Sequence, residues 1–122
     1  MFDVSMENIL TKSNPICSID SLILGEAKSF SFGKRPNDFE IFIVCSNESK
    51  FYAYLNNCPH QHIPLDFKPG VFLNRDKSAI QCSTHGAQFN INNGLCFKGP
   101  CSGKYLISIP ISIKKNMIYF EK

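Results

Sequence analysis

Two cysteines and two histidines in the middle of the chain have the residue types and the spacing of a metal site. They form two short motifs, Cys58-x-His60 and Cys82-x-x-His85, which residues 61–81 separate. Thiolate sulfur is a soft ligand and neutral imidazole is a borderline one, so a site with two of each favours zinc or an iron–sulfur centre. Asn56 and Asn57 before the first motif, and Gly86 after the second, indicate that both lie in turn-like segments.

The distribution of ligand types between the motifs separates the candidates. Zinc fingers pair Cys with Cys and His with His, whereas each motif here carries one residue of each type. In a Rieske centre, two cysteines hold one iron and two histidines hold the other. Both motifs, with Gly86 behind the second, resemble the Rieske [2Fe–2S] family, most strongly over residues 51–103. Zinc, or no metal, stays the alternative, because short motifs also arise by chance.

The resemblance implies a role for each of the four residues. It implies that Cys58 and Cys82 bind the inner iron of one [2Fe–2S] cluster per chain. It implies equally that His60 and His85 bind the outer iron and face solvent. The rest of the chain is then a scaffold that brings the two loops together.

Length and composition indicate a single globular domain. The chain has 122 residues, of which 43% are hydrophobic and 19% charged, so it can bury one core and is not a disordered chain. The net charge of +3 is too small to indicate nucleic-acid binding. The first residues show no secretory signal, and no apolar run has membrane-spanning length. We therefore expect a cytoplasmic protein, whose cysteines serve a metal rather than a disulfide framework.

Short apolar and alternating segments predict β-strands along the whole chain. The predicted strands are 15–18, 27–32, 39–45, 51–55, 79–81, 87–91, 95–97, 107–113 and 116–120. No segment of ten or more residues has the periodicity of a helix. We predict an all-β fold, a Rieske-like small antiparallel β-sandwich or barrel.

The predicted organisation is an N-terminal arm followed by one domain. The arm is residues 1–14 and the domain is residues 15–122. The resemblance implies a cluster-binding subdomain inserted at about 56–103. Within it, residues 68–78 make the gap between the two motifs longer than in simple Rieske ferredoxins.

The residues around the motifs differ from those of high-potential Rieske proteins. The resemblance places Ala87 and Phe89 where the proteins of respiratory complexes carry a Ser and a Tyr, whose hydroxyls bond to cluster or ligand sulfur. It also places Ile63 and Thr84 where those proteins have a disulfide between the loops, so that bridge cannot form here. Because hydrogen bonds to sulfur help to set the potential of an iron–sulfur cluster, we predict a low-potential cluster.

A third loop, at Gly99-Pro100, resembles the segment that covers the cluster from the side in this family. Its expected role is to exclude water. Cys96 and Cys101 flank this loop, and they could form a disulfide or stay thiols. The reducing cytoplasm expected for this chain favours thiols.

The remaining residues favour an electron carrier over an enzyme. An oxygenase needs a further catalytic iron, usually held by two histidines and a carboxylate, yet only His62 is left of the three histidines. The chain also lacks a glycine-rich nucleotide loop. We predict a ferredoxin-like single-electron carrier, not itself an enzyme, between a reductase and a terminal oxygenase or similar acceptor. We expect a monomer or weak oligomer, with neither nucleic acid nor membrane as a partner.

Two alternatives stay open at this point. The chain could be an accessory Rieske subunit bound permanently to a larger oxidoreductase, or a zinc-stabilised binding module without a redox role. An exposed apolar patch near the loops would favour the accessory subunit. Metal analysis distinguishes the zinc module from both redox proteins.

Overall fold

The computed structural model describes residues 14–36, 38–59, 63–66, 70–84 and 86–121. These residues form β1 (Cys17–Ser18), a 3-10 turn (Ile19–Ser21), β2 (Glu26–Phe32), β3 (Phe39–Cys45), β4 (Phe51–Leu55), β5 (Ile80–Gln81), β6 (Gln88–Phe89), β7 (Cys96–Lys98), β8 (Ile111–Lys114) and β9 (Met117–Phe120). Every strand pair is antiparallel. Within these ranges the short turn after β1 is the only helical element, and no helix there is long and apolar enough to cross a membrane. The predicted all-β fold is confirmed.

The strands form three sheets of three strands each. Their orders are β1-β9-β8, β2-β3-β4 and β5-β6-β7. The β2-β3-β4 sheet lies between two hydrophobic cores, and its middle strand is apolar along almost its whole length. Successive side chains of a strand point to opposite faces, so Phe42 and Val44 enter one core while Ile41 and Ile43 enter the other. Burial on both faces explains why residues 39–45 read as a dense apolar run rather than an alternating one.

The first of the two cores, called the base core here, is closed by the β1-β9-β8 sheet. Its buried members are Leu22, Ile41, Ile43, Cys45, Ala53, Ile109, Ile118 and Phe120. Aromatic side chains pack at its edge, where the Phe32 and Phe120 rings meet edge to face with their centroids 5.2 Å apart. Aliphatic and aromatic side chains fill most of this core, so burial of apolar surface is the main contribution to its stability.

The second core, called the cluster-side core here, lies beneath the short β5-β6-β7 sheet. Its buried members are Phe42, Val44, Tyr54, Cys58, Leu65, Phe72, Ile80, Cys82, Ala87, Phe89, Cys96, Cys101 and Leu106. The Phe42 and Phe72 rings stack at 4.5 Å, which joins the segment before β5 to the central strand. Both motif cysteines therefore lie in the same core.

The strand predicted at 107–113 was wrong at its start. Residues 107–109 run beside β4, where the Leu55 amide donates to the Ile107 carbonyl and the Ile109 amide donates to the Ala53 carbonyl. The chain pairs with β9 only from Ile111 onward. Pro110 separates the two partners, because a proline has no amide hydrogen with which to continue a ladder.

Other expectations from the sequence have mixed outcomes. The predicted bounds of β3 and β4 are confirmed, as is the turn between them, in which the Ser46 amide bonds to the Lys50 carbonyl at 2.8 Å. The predicted arm lies outside the described residues except for Asn14. Residues 70–80 turn back on themselves, and Leu73 bridges to Ile80.

Candidate metal centre

The first motif lies on a loop that leaves β4 and is closed at its base by Asn56. The Asn56 side-chain oxygen accepts a hydrogen bond from the Leu65 amide at 2.7 Å, and its Nδ2 group donates to Asp66 at 2.8 Å. The same Nδ2 group donates to Glu40 of β3 at 2.6 Å. Nothing in the sequence beyond a polar residue at the end of a strand marked Asn56 for this role. It fixes the loop that carries Cys58 to the central sheet.

The second motif lies on a tighter loop between β5 and β6. The Cys82 amide donates to the Ala87 carbonyl, and the Gly86 amide donates back to the Cys82 carbonyl, both at 2.9 Å. Gly86 has a φ of 72°, in the left-handed region that glycine adopts without strain. This turn brings Cys82 close to Gly86 and Ala87, which follow the motif in the sequence.

A direct hydrogen bond joins the two loops. The Ser83 amide donates to the Leu65 carbonyl at 2.9 Å, and the Cys58 amide closes its own loop by donating to Ile63 at 2.7 Å. Cys58 is 1% exposed and Cys82 is 0% exposed. The two loops thus present buried sulfur atoms to one core, although the sequence separates them widely.

The predicted histidine ligands, His60 and His85, lie outside the described residues, as does His62. The described ranges contain no group of three or more His, Cys, Asp or Glu side chains that could hold a metal ion. The structure therefore brings together the sulfur half of the predicted ligand set. The assignment of all four ligands stays a prediction.

The third loop packs against the second. A Cβ atom on Gly99 would lie 2.8 Å from the Cα atom of Ala87, so a side chain at position 99 would force the two loops apart. The amide of Cys96 donates to the Lys104 carbonyl at 2.8 Å, and the amide of Gly103 donates to the Cys96 carbonyl at 2.9 Å. The third loop is thereby closed at its base and held against the Cys82 loop.

Two further cysteines add sulfur to this region. The Cys101 thiol donates a hydrogen bond to the Cys96 sulfur at 3.3 Å, and the Cys96 thiol donates to the Lys98 carbonyl at the same distance. Both are buried thiols. Burial raises the pKa of Cys101, and its hydrogen bonds and proximity to Cys96 and Cys58 raise that pKa further, to about 12. The sequence placed these cysteines beside the third loop but did not predict contact with the first.

The donor set and its surroundings fit an iron–sulfur group. Cys58 and Cys82 supply soft sulfur from two hydrogen-bonded loops, within a core that excludes water. Ala87 and Phe89 line the same core and carry no hydroxyl. The Asn57 Oδ1 atom, next to Cys58, is buried and has no hydrogen-bond partner within the described ranges. An unsatisfied buried acceptor is costly, so a hydrogen-bond donor beside the Asn57 Oδ1 atom would stabilise this loop.

A small antiparallel β-fold, in which two neighbouring loops carry buried cysteines, is typical of one class of iron–sulfur domain. The model of the Rieske [2Fe–2S] domain family matches residues 12–114. The chain belongs to that family, and a Rieske-type [2Fe–2S] cluster is its cofactor.

A curated relative is a ferredoxin component. The chain is 33% identical over 79 residues to the ferredoxin component of the alkene monooxygenase system of Xanthobacter autotrophicus, and the aligned residues make up 65% of this chain. The match covers only 57% of that relative, so the chain spans a little over half the length of the curated relative it matches.

Solved structures show the same fold at low sequence identity. A chain from the reduced complex between oxygenase and ferredoxin in carbazole 1,9a-dioxygenase superposes with a TM-score of 0.72 at 18% identity, over 89% of this chain and 28% of that one. The ferredoxin of carbazole 1,9a-dioxygenase from Nocardioides aromaticivorans IC177 superposes with a TM-score of 0.65 at 20% identity, over 87% of this chain and 93% of that one. The predicted Rieske-like β-fold is therefore confirmed.

Proposed function

We propose that this chain is a ferredoxin-like carrier of single electrons, in which Cys58, His60, Cys82 and His85 hold the [2Fe–2S] cluster. The observation that carries the proposal is the pair of buried cysteines on two loops that are hydrogen-bonded to each other. A bound Rieske cluster takes up and releases one electron, which is the chemistry that a carrier needs. The protein supplies the ligands, a fixed geometry and a core without water.

The proposed reduction potential is low for a Rieske cluster. Ala87 and Phe89 are both fully buried in the cluster-side core and cannot donate hydrogen bonds to sulfur through their side chains. Fewer donors leave the extra negative charge of the reduced state less stabilised. The potential is expected near the lower end of the Rieske range, which runs from about −150 to +300 mV.

The proposed partners are a reductase and a terminal oxygenase or similar acceptor. The curated relative is named as the ferredoxin component of a monooxygenase system, and the carbazole 1,9a-dioxygenase structures are titled as complexes of oxygenase and ferredoxin. A carrier of this kind works in the cytoplasm as a monomer or weak oligomer and is not itself an enzyme.

One observation favours an accessory subunit as the second candidate. Phe97 and Tyr105, on either side of the third loop, are 50% and 58% exposed. Large apolar side chains at the surface can mark a protein interface. Sedimentation of the purified chain, alone and mixed with its reductase and oxygenase, separates the two. A transient carrier sediments alone at low concentration, whereas an accessory subunit stays in a stable complex.

Optical and electron paramagnetic resonance spectra of the freshly purified protein test the proposal, together with counts of iron, sulfide and zinc. We expect brown protein with two irons and two sulfides per chain, and a rhombic signal of Rieske type after dithionite reduction. Reduction by a reductase and reoxidation by an oxygenase then test the carrier role. Colourless protein with one zinc, even after anaerobic reconstitution with iron and sulfide, would leave a zinc-stabilised binding module instead.

A further inference from the structure

The Cys101 sulfur lies against two other sulfur atoms in the cluster-side core. It donates to the Cys96 sulfur at 3.3 Å, and it shares the core with Cys58, which lies close enough to raise the pKa of the Cys101 thiol. Cys101 is 1% exposed, so water does not compete for hydrogen bonds of its thiol. Cys58 is a ligand in the proposed function, whereas Cys101 belongs to neither motif.

We propose that the Cys101 thiol donates a hydrogen bond to the Cys58 sulfur when that sulfur is bound to iron, and that this bond raises the reduction potential of the cluster. The inference rests on the proposed function, because it needs Cys58 as a ligand. Cys101 would then be a positioning and tuning residue for electron transfer.

The choice of acceptor follows from charge. A metal-bound thiolate is a stronger acceptor than a neutral thiol, because hydrogen bonds to charged groups are stronger than those between neutral groups. The Cys96 sulfur is a neutral alternative, and its own proton is already directed at the Lys98 carbonyl at 3.3 Å. Between the two sulfur atoms within its reach, the Cys101 proton therefore favours Cys58 in the loaded protein.

The effect on potential follows from the same charge. Reduction adds negative charge to the cluster and its ligand sulfurs, so a donor beside Cys58 stabilises the reduced state more than the oxidised state. The potential is higher with this donor than without it. The family resemblance places hydroxyl donors at positions 87 and 89, but Ala87 and Phe89 have no side-chain donor. The Cys101 thiol can therefore supply a hydrogen bond that these two residues do not.

The third loop keeps Cys101 in place. The Lys104 amide donates to the Cys101 carbonyl at 2.9 Å, and the Ser102 amide donates to the Gly99 carbonyl at 3.2 Å. Gly99 lies against Ala87 at a distance that leaves no space for a side chain. The thiol is thus carried by a turn that packs directly on the second ligand loop.

Redox titration of the loaded protein, monitored by paramagnetic resonance, tests the inference with three variants. Cys101→Ala removes the donor, and we expect the ratio of reduced to oxidised cluster at the wild-type midpoint to fall about twofold to tenfold. Cys101→Ser keeps a donor and should hold that ratio near the wild-type value or above it. Cys96→Ala is the matched control, since it removes a buried thiol of the same loop and leaves the proposed donor in place.

The outcomes separate this inference from the proposed function. Iron and sulfide counts on the wild-type protein decide whether a cluster is present at all. With a cluster present, an unchanged potential in Cys101→Ala overturns the inference, as does an equal fall in Cys96→Ala or in Cys101→Ser. If Cys101 had only a structural role, the alanine variants would unfold at a lower temperature. The potential of Cys101→Ser would then not depend on the hydrogen-bond donor that it keeps at position 101. Intact-mass analysis after alkylation checks that every thiol still present at positions 96 and 101 is reduced in each sample.

Discussion

The two cores of this molecule share β3 but differ in the side chains that fill them and in the length of the strands that enclose them. The base core is filled mainly by aliphatic and aromatic side chains, with Cys45 as a buried cysteine, and is enclosed by strands of four to seven residues apart from β1. The cluster-side core contains four cysteines and is covered by three strands of only two or three residues. Short strands contribute few ladder hydrogen bonds. We infer that the base core is stable by itself, whereas the cluster-side core gains much of its order from the metal it binds.

Removal of a proposed ligand has the largest expected effect. In Cys82→Ala we expect complete loss of the [2Fe–2S] cluster, because the inner iron loses one of its two thiolates. Cys45→Ala is the matched control, as Cys45 is an equally buried cysteine of the base core. The control should keep its full iron and sulfide content and lose only about 1 kcal/mol of unfolding free energy. Iron bound at the wild-type level by Cys82→Ala would contradict the ligand assignment.

Removal of iron should affect the two cores differently. After chelation under reducing conditions, we expect amides of β5, β6 and β7 to exchange with solvent about tenfold or more faster, because local opening there is no longer opposed by the metal. Amides of β3 and β4 should keep most of their protection. Hydrogen exchange followed by mass spectrometry measures both sets in one sample. Equal loss of protection in both regions would show that the cores unfold as one unit.

The sequence predicted the two cores to different extents. The limits of β3 were predictable because burial on both faces leaves a continuous apolar run. The two motifs indicated the cluster because each of them carries one cysteine and one histidine. The bonds of Asn56 and the contact between Cys101 and Cys58 were not predictable, since they depend on where distant segments meet in three dimensions. The start of β8 was missed for a local reason, because Pro110 changes the pairing partner within an otherwise regular alternation.

Gly99 tests how tightly the third loop must pack. Gly99→Ala would place a Cβ atom 2.8 Å from the Ala87 backbone, and it also strains a φ of 102°. Gly103→Ala is the matched control, because its φ is 91° and no atom lies within 4 Å of its Cβ position. Strain alone costs about 1–3 kcal/mol in each variant. We expect Gly99→Ala to lose more unfolding free energy than the control and also to lose iron faster, in thermal unfolding and chelation experiments. Equal behaviour would mean that the loop contact is unimportant.

Asn56 tests the connection between the first loop and the central sheet. In Asn56→Ala the buried Leu65 amide loses its acceptor, so we expect a loss of about 1–3 kcal/mol of unfolding free energy. Asn74→Ala is the control, because Asn74 Oδ1 accepts bonds from the Ser78 and Ala79 amides on a more exposed turn. Water can replace those bonds, so the control should lose less. Chemical unfolding of the loaded protein measures both variants, and a larger loss in the control would contradict the proposed role of Asn56.

The smallest expected effect concerns the phenol of Tyr54, a polar group within the cluster-side core. Its hydroxyl donates to the Ile91 carbonyl at 2.6 Å, and Tyr54→Phe should cost about 0.5–1.5 kcal/mol. Burial, and to a smaller extent the charge of Tyr52, raises the pKa of Tyr54 above its ordinary value of 10.0. The phenol's contribution is therefore present below that ordinary value and is lost as pH rises toward the raised one.

Denaturation at increasing alkaline pH measures this contribution. The wild-type protein should lose stability more steeply above about pH 10 than Tyr54→Phe does, because only the wild-type chain must release this proton on unfolding. Tyr105→Phe is the control, since the Tyr105 side chain is 58% exposed and its charge is not among the causes that raise the pKa of Tyr54. It should follow the wild-type pH dependence. Parallel curves for wild type and Tyr54→Phe would show that the phenol is solvated in the folded state, and that the cluster-side core is wetter than its packing indicates.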